Sequence, residues 1–454
     1  MKKSTRQRKG VKLYLIIYIL TTCAHLPLSY AGEYLNKHMP KWFNVDLELR
    51  HRYEWRSDFD FNDTLDDKDG FNLWRGRLGL TLKPTDGLKL FYQFQDARIS
   101  HDGTSGSKTT FEDWAETRQW WVEGEPTALN WDTIGVSHAG AKFGRQELSF
   151  GSQRLVGPVN WSNVGQTFDA GKLAFKFENI HLGVDIFAGG KTLIKSPREK
   201  NDFYDGSSND HIGGYYAVYN GFKNLSVDQY VINRNTDGKT VSFGQTGDGE
   251  LEDYTIGTRL KGKFTGTAFN YELETAKQVG NSGALEVDAQ MAVAIIGYTF
   301  NHSWKPRLAF EYNYASGDNN TNDNQRETFD NLFPSNHIFY GYMDFVSLQN
   351  INNYRFQLNT FPNQKLELEA NLHLIYLDSP KDNLYGANQL IKRSTMAGAD
   401  SHVGNEVDLL AKYKICNYAN IWLGYSHLFA GGFLNDTGAS DDADFVYTQT
   451  VFNF

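Results

Sequence analysis

KLELEANLHLIY, residues 365–376, repeats with a period of two. Leu366, Leu368, Ala370, Leu372, Leu374 and Tyr376 fall on one side, and Lys365, Glu367, Glu369, Asn371 and His373 on the other. Successive side chains of a strand point to opposite faces, so the spacing predicts a β-strand with one apolar and one strongly polar face. At about twelve residues it is longer than an ordinary globular strand and suits a tilted strand that crosses a bilayer.

The same alternation recurs along the chain. Val45, Leu47 and Leu49 oppose Asp46, Glu48, Arg50 and Arg52; Trp74, Leu78, Leu80 and Leu82 oppose Arg75, Arg77 and Thr81. Tyr254, Ile256 and Leu260 oppose Thr255, Arg259 and Lys261; Phe269, Tyr271 and Leu273 oppose Asn270, Glu272 and Glu274. Leu308, Phe310, Tyr312 and Tyr314 oppose Arg307, Glu311 and Asn313; Tyr354, Phe356 and Leu358 oppose Asn353, Arg355 and Gln357; Val407, Leu409, Ala411 and Tyr413 oppose Glu406, Asp408 and Lys412. A sheet with one polar and one apolar face over this length is a closed barrel, apolar toward lipid and polar toward its lumen.

The connections alternate in length. Short ones are expected at 84–87, 178–180, 221–224, 263–266, 302–305, 362–364 and 417–419, with 124–139 in the same series. Long polar ones are expected at 57–70, 99–113, 150–167, 190–212, 235–251, 278–287, 316–349, 378–402 and 431–443. Short periplasmic turns and long extracellular loops are the asymmetry of outer-membrane barrels. Nine loops and eight turns predict an all-β fold: a single antiparallel transmembrane barrel of about eighteen strands.

The two ends agree with that address. Residues 1–31 read as a signal peptide: Lys2, Lys3, Arg6, Arg8, Lys9 and Lys12 precede an apolar run at 11–24, and Ser29-Tyr30-Ala31 offers a small-x-small cleavage site. The barrel is then expected over 32–454, in the outer membrane of a Gram-negative bacterium. The last strand ends on Phe452 and Phe454, with Thr450 and Thr448 on the same face. It resembles the sorting signal read by the barrel-assembly machinery. Removing the six basic residues of the leader moves the formal charge from −9 to −15, which excludes an ordinary nucleic-acid-binding domain. Cys416 is the single cysteine left, so no disulfide framework or cysteine metal site is expected.

No motif calls for an enzyme, a cofactor or a metal. Carboxylate pairs such as Glu367/Glu369 and Glu272/Glu274 read as polar wall rather than as a glycosidase pair. Ser426 and His427 point to opposite faces of a strand, a poor nucleophile and base. The Asp- and Asn-rich stretches at 58–69, 317–324 and 435–444 lack the spacing of a Ca²⁺ loop and read as solvated loops. The inward cations carry more information. Arg50, Arg52, Arg75, Arg77, Arg259, Arg307, Arg355 and Lys412 all fall on polar strand faces. Forked guanidinium donors match carboxylates, so they are candidate anion-binding, pore-lining groups. The competing expectation is that they pair across the interior with Asp46, Glu48, Glu311, Glu367, Glu369, Glu406 and Asp408 and cement the barrel.

One segment is distinctive: AKFGRQELSFGSQRLVGPVNWSNVGQTFDAGKLAF, residues 141–175. It carries Gly144-Arg145-Gln146, then Gly151-Ser152-Gln153-Arg154-Leu155-Val156-Gly157, Trp161 and Phe168-Asp169-Ala170. With Arg75–Arg77, Gly404-Asn405-Glu406-Val407-Asp408 and Gly424-Tyr425, it resembles the bacterial alginate-export porin family over nearly all of the expected barrel. The resemblance implies an eighteen-stranded monomeric barrel that passes a polyuronate through an electropositive constriction. It adds Arg145 and Arg154 to the anion-binding set. It also implies that a long loop and a periplasmic turn close the pore, for which 316–349 and 124–139 are the candidates. The family often has Arg where this chain has Gln166.

The function expected from this is a passive channel exporting an anionic polysaccharide or its oligosaccharides. A general or sugar-selective uptake porin is the alternative, and a barrel enzyme a distant third. The expected partners are the anionic polymer, outer-membrane lipid and the assembly machinery, with a periplasmic export partner left open.

Overall fold

The computed structural model describes residues 36–64, 67–100, 109–125, 135–195, 197–203 and 209–454. The expected signal peptide lies outside them. Alternation becomes architecture directly. Strands β1 to β9 are Phe43–Ser57, Asp69–Thr85, Leu88–Ser100, Asp113–Gly124, His138–Gln146, Phe168–Phe177, Leu182–Lys191, His211–Phe222 and Leu225–Thr240. Strands β10 to β18 are Glu250–Lys263, Phe269–Ser282, Leu285–Thr299, Arg307–Ala315, Ile351–Asn363, Leu366–Tyr376, His402–Cys416, Ala419–Ala430 and Ala443–Asn453. Each pairs antiparallel with its sequence neighbours, and β1 pairs with β18 from Glu48↔Asn453 to Ser57↔Asp444. That last pairing closes the barrel and leaves no free edge.

The apolar faces point outward. Leu49, Leu308, Phe356 and Leu423 are 45–55% exposed. Such a girdle of bare leucine and phenylalanine is costly in water and favourable in hydrocarbon. The quoted strand β15 behaves as read: Leu372 is exposed on the outer face, while Asn371 and His373 are buried inside. No helix among the described residues is long and apolar enough to cross a membrane, so strands make the crossing.

The expected turns fall within a few residues of their places, and seventeen connections join the eighteen strands. One expectation is corrected. The segment 278–287 is not a long loop: β11 runs to Ser282, β12 starts at Leu285, and Gly283-Ala284 joins them as a two-residue turn. Gly283 takes φ +58 against the backbone of Gly249, a place without room for a Cβ. Along 285–291 the alternation inverts. Leu285, Val287, Ala289 and Met291 point inward and are buried, while Glu286, Asp288 and Gln290 are exposed or half-exposed. Here the inward face does not meet water but packs on protein that fills the lumen.

Eighteen strands enclose space for a water-filled channel, yet much of it is occupied. The loop 147–167, between β5 and β6, and the loop 316–350, between β13 and β14, turn back inside. Phe150, Leu155, Val156, Phe329, Leu332, Phe333, Tyr340, Met343 and Leu348 join inward wall residues such as Phe187, Tyr230, Met291 and Tyr447 in one apolar cluster. The two loops meet at a parallel bridge, Val156↔Phe333. Gly424 lies under the ring of Tyr447, where a Cβ would collide with it, and Tyr447 in turn supports Trp161 at 4.9 Å.

A third loop, 377–401, caps the second one. Burial pushes the Asp382 carboxyl up to about 6, against hydrogen bonds from Thr328 Oγ1, Tyr385 Oη and the amides of Asp318 and Asn383 that pull it down. A carboxyl whose folded pKa exceeds its unfolded value of about 3.9 binds more protons when folded. Its stabilisation is therefore complete below about pH 4 and lost as pH rises through about 6. Melting wild type against Asp382→Asn is expected to show a wild-type advantage at pH 5 that shrinks by about 1 kcal/mol by pH 7. A difference independent of pH would contradict it.

Candidate functional site

The ten predicted cations sort into two kinds of environment. Seven meet carboxylates. Arg52 pairs with Glu54 at 2.6 Å, Arg75 with Glu48 at 2.7 Å and Arg145 with Asp169 at 2.7 Å. Arg154 pairs with Glu311 at 2.7 Å, Arg259 with Asp228 at 2.6 Å, Arg355 with Glu369 at 3.3 Å, and Lys412 with Glu367 at 3.3 Å. The expected partners Glu48, Glu311, Glu367 and Glu369 thus do serve. Glu406 and Asp408 are used differently: they accept the amides of Met343 and Tyr342 in the second loop, and Asp408 also takes Ser426 Oγ. Among the described residues, Arg307 donates to amide oxygens, those of Asn270 and Gln357.

Arg50 and Arg77 have no carboxylate within ion-pair distance among the described residues. With Arg75 they form a cage around residues 160–164 of the first loop. Arg50 donates to the carbonyls of Asn160, Trp161 and Ser162 and to Asn163 Oδ1, at 2.9–3.3 Å. Arg75 shares the Asn160 and Ser162 carbonyls at 3.2 and 3.0 Å. Arg77 reaches Val164 O at 3.1 Å and Asn160 Oδ1 at 3.2 Å. Arg52 adds Trp161 O at 2.6 Å and lies 3.8 Å over the Trp161 ring. These four arginines are 2–6% exposed.

Sequence reading missed Arg118, Arg234 and Arg326. Arg118 completes the cage: its guanidinium and that of Arg77 both crowd Gly165, and it pairs with Glu147 at 2.6 Å. A bulge in β4, which shifts register twice against β3, hides its inward face from a strict period of two. Arg50, Arg75, Arg77 and Arg118 therefore face Glu48 and Glu147, a local surplus of two positive charges in a chain of net charge −9. Arg234 and Arg326 fasten the second loop: Arg234 grips Asp330 through two oxygens at 2.7 and 3.0 Å and also holds Asp210, and Arg326 pairs with Asp253 at 3.3 Å. Arg326 sits inside the loop itself, where no strand periodicity marks it.

The aromatic side chains also find places. Trp161 is sandwiched between Arg52 and His337, its ring 3.7 Å from the His337 ring at 7°, and Tyr342 continues the stack at 4.9 Å. Trp121 points inward, stacked on Phe91 at 5.0 Å beneath Lys142. Trp120 packs on Phe203 at 4.8 Å. Gln166 donates to the carbonyls of Gly157 and Phe333 and so ties the two loops with a neutral group. Much of the expected turn at 124–139 lies outside the described residues.

Most of the motif residues hold this plug, while Arg145 also grips the β7–β8 loop through the carbonyls of Asn201 and Asp202. Arg145 of the G-R-Q segment and Asp169 of F-D-A are register partners across β5 and β6 and pair through both carboxylate oxygens. Arg154 is the hub between the first loop, the wall and Tyr340 of the second. Arg75 and Arg77 hold the first loop, Glu406 and Asp408 the second. The spacing of these motifs thus reflects the anchoring of two inserted loops.

Comparisons agree with this geometry. The family described as alginate export matches residues 41–448. No curated protein matches the chain. Solved barrels of Pseudomonas aeruginosa share the fold: OccK5 (OpdH), 12% identical, covers 91% of this chain and 99% of its own at a TM-score of 0.60. OpdK, solved with vanillate, is 12% identical with the same coverages and a TM-score of 0.59. OccK2 (OpdF), solved in complex with glucuronate, is 10% identical, covers 91% and 98%, and scores 0.57. Family and fold together place the protein in the bacterial outer membrane, as a channel-type barrel.

Proposed function

The chain belongs to the alginate export family, and on that premise we propose that it is a passive outer-membrane channel for an anionic polysaccharide of the polyuronate type, or for oligosaccharides derived from it. The observation that carries this reading is the arginine cage. Four buried guanidiniums against two carboxylates hold an uncompensated positive potential inside a low-dielectric tube. Bidentate guanidinium donors suit carboxylates, and the cage offers several of them on one side of the lumen. Export is the direction that the family description names.

A second reading has its own support. Barrels of the same fold have been solved with vanillate and glucuronate, both small carboxylates. Uptake of such monomers would use the same cage.

Reversal potential in a planar bilayer under a salt gradient tests the shared part, since both readings require anions to be preferred. A change in current on adding oligouronates, with little effect from vanillate or glucuronate at equal carboxylate concentration, is expected for the polymer channel. A response to the monomers alone would favour uptake. A cation-preferring wild type indifferent to all of these would remove the cage from the function.

A further inference from the structure

The two loops that fill the lumen are held by opposite chemistry. The second loop is fastened by two buried ion pairs, with backbone ties to wall side chains beside them. Arg234 meets Asp330, Arg326 meets Asp253, and the Tyr342 and Met343 amides meet Asp408 and Glu406. That loop is cemented, because parting a buried ion pair strands a charge. The tip of the first loop, 159–165, is held by guanidiniums on neutral backbone carbonyls. Carbonyls satisfy the donors but not the charge. Among the described residues, two buried nitrogens of the cage, Arg50 Nε and Arg118 Nε, have no hydrogen-bond partner.

Resting on the reading above, we propose that residues 159–165 are a built-in stand-in ligand: their carbonyls occupy the arginine cage until carboxylates of the polymer displace them, so that the channel opens on its own cargo. The exchange replaces neutral acceptors by charged ones, and a charge-assisted hydrogen bond is roughly twice as strong as a neutral one. A polyuronate brings one carboxylate per sugar and engages several guanidiniums at once, so its gain is multivalent. A neutral sugar has nothing to exchange. The segment is also shaped to leave. Val159 (φ +51) and Gly165 (φ +84) bracket it with left-handed residues. Its other anchors are neutral as well. Asn163 Nδ2 reaches the carbonyls of Trp74, Arg98 and Phe111, Ser162 Oγ and the Val164 amide reach Thr110 O, the Val159 amide reaches Ser335 Oγ, and Trp161 is held between Arg52 and His337. The carbonyl contacts thus silence the cage in the absence of cargo and keep small ions from leaking through it.

The test uses protein extracted from outer membranes, in planar bilayers at about 0.15 M salt, where screening reaches only ~8 Å. Trigalacturonate is expected to raise the open fraction of wild type about tenfold, while maltotriose leaves it unchanged. Asn163→Ala and Trp161→Ala remove one anchor each, and both channels are expected to be open before any ligand is added. Heat-modifiable mobility on gels confirms that each variant is a folded barrel before it is scored. Wild type and both variants conducting alike, with no response to trigalacturonate, overturns the stand-in. If the wild type then still prefers anions, the channel reading survives alone; if it does not, both fall.

Discussion

Arg154→Ala is expected to destabilise the plugged barrel by about 3–5 kcal/mol, the cost of removing one partner from a buried ion pair. Arg154 is 2% exposed and lies at the junction of three elements. Its Nη2 meets Glu311 at 2.7 Å, its Nη1 meets Asn313 at 3.1 Å, Glu274 lies 4.0 Å from Nε, and the guanidinium sits 4.1 Å from the centre of the Phe339 ring. Among the described residues, removing it leaves Glu274 with the Tyr230 hydroxyl and Glu311 with Arg355 at 3.4 Å. Two buried carboxylates then share too few donors. The ladder between strands is untouched, so the barrel itself should still form and remain heat-modifiable. The loss should appear as a lower midpoint in guanidinium unfolding and as proteolysis within 147–167 and 316–350. Arg154→Lys should recover only a part, because one ammonium cannot reproduce the fork. A midpoint within about 1 kcal/mol of wild type, after conversion by the slope, would show that the hub does not hold the plug.

The barrel was legible in the sequence because its rule is local. Period-two alternation and turn chemistry act within one strand and its connection, so β15 could be read from twelve residues. The same locality explains the error at 278–287. A polar-in, apolar-out rule treats Gly280, Asn281, Ser282 and Gly283 as loop, and it fails where the inward face packs on a plug. There Leu285 and Val287 point in at 3% and 2% exposure. The ion pairs within the wall, such as Arg145 with Asp169 on adjacent strands, were within reach of the same reasoning. The cage was not. What distinguishes Arg50 from Arg355 is which loop returns to it, a contact across more than a hundred residues between Arg50 and Ser162. Strand periodicity shows which arginines face inward and says nothing about which of them lack a carboxylate. Arg118 was lost to a bulge and Arg326 to a loop, both places where the period is broken.

Arg50→Glu with Arg77→Glu should therefore invert the selectivity of the channel. In wild type the cage sets four guanidiniums against two carboxylates. The double substitution leaves Arg75 and Arg118 against four carboxylates, so a surplus of two positive charges becomes a deficit of two. In a tube with low-dielectric walls that change acts on every permeating ion. The expected result is a reversal potential of opposite sign under the same salt gradient, and loss of the response to oligouronates. Arg145→Glu makes the control. It reverses an equally buried arginine whose partner Asp169 already compensates it, outside the cage, and its effect should fall on stability rather than on selectivity. The Glu pair also repels the carbonyls of 160–164, which had been held by guanidiniums, so the first loop should leave the wall and conductance should rise together with the change of sign. A double variant that still prefers anions would mean that ions pass elsewhere in the lumen, and Arg307 and Lys412, on the inward faces of β13 and β16, would become the next groups to reverse.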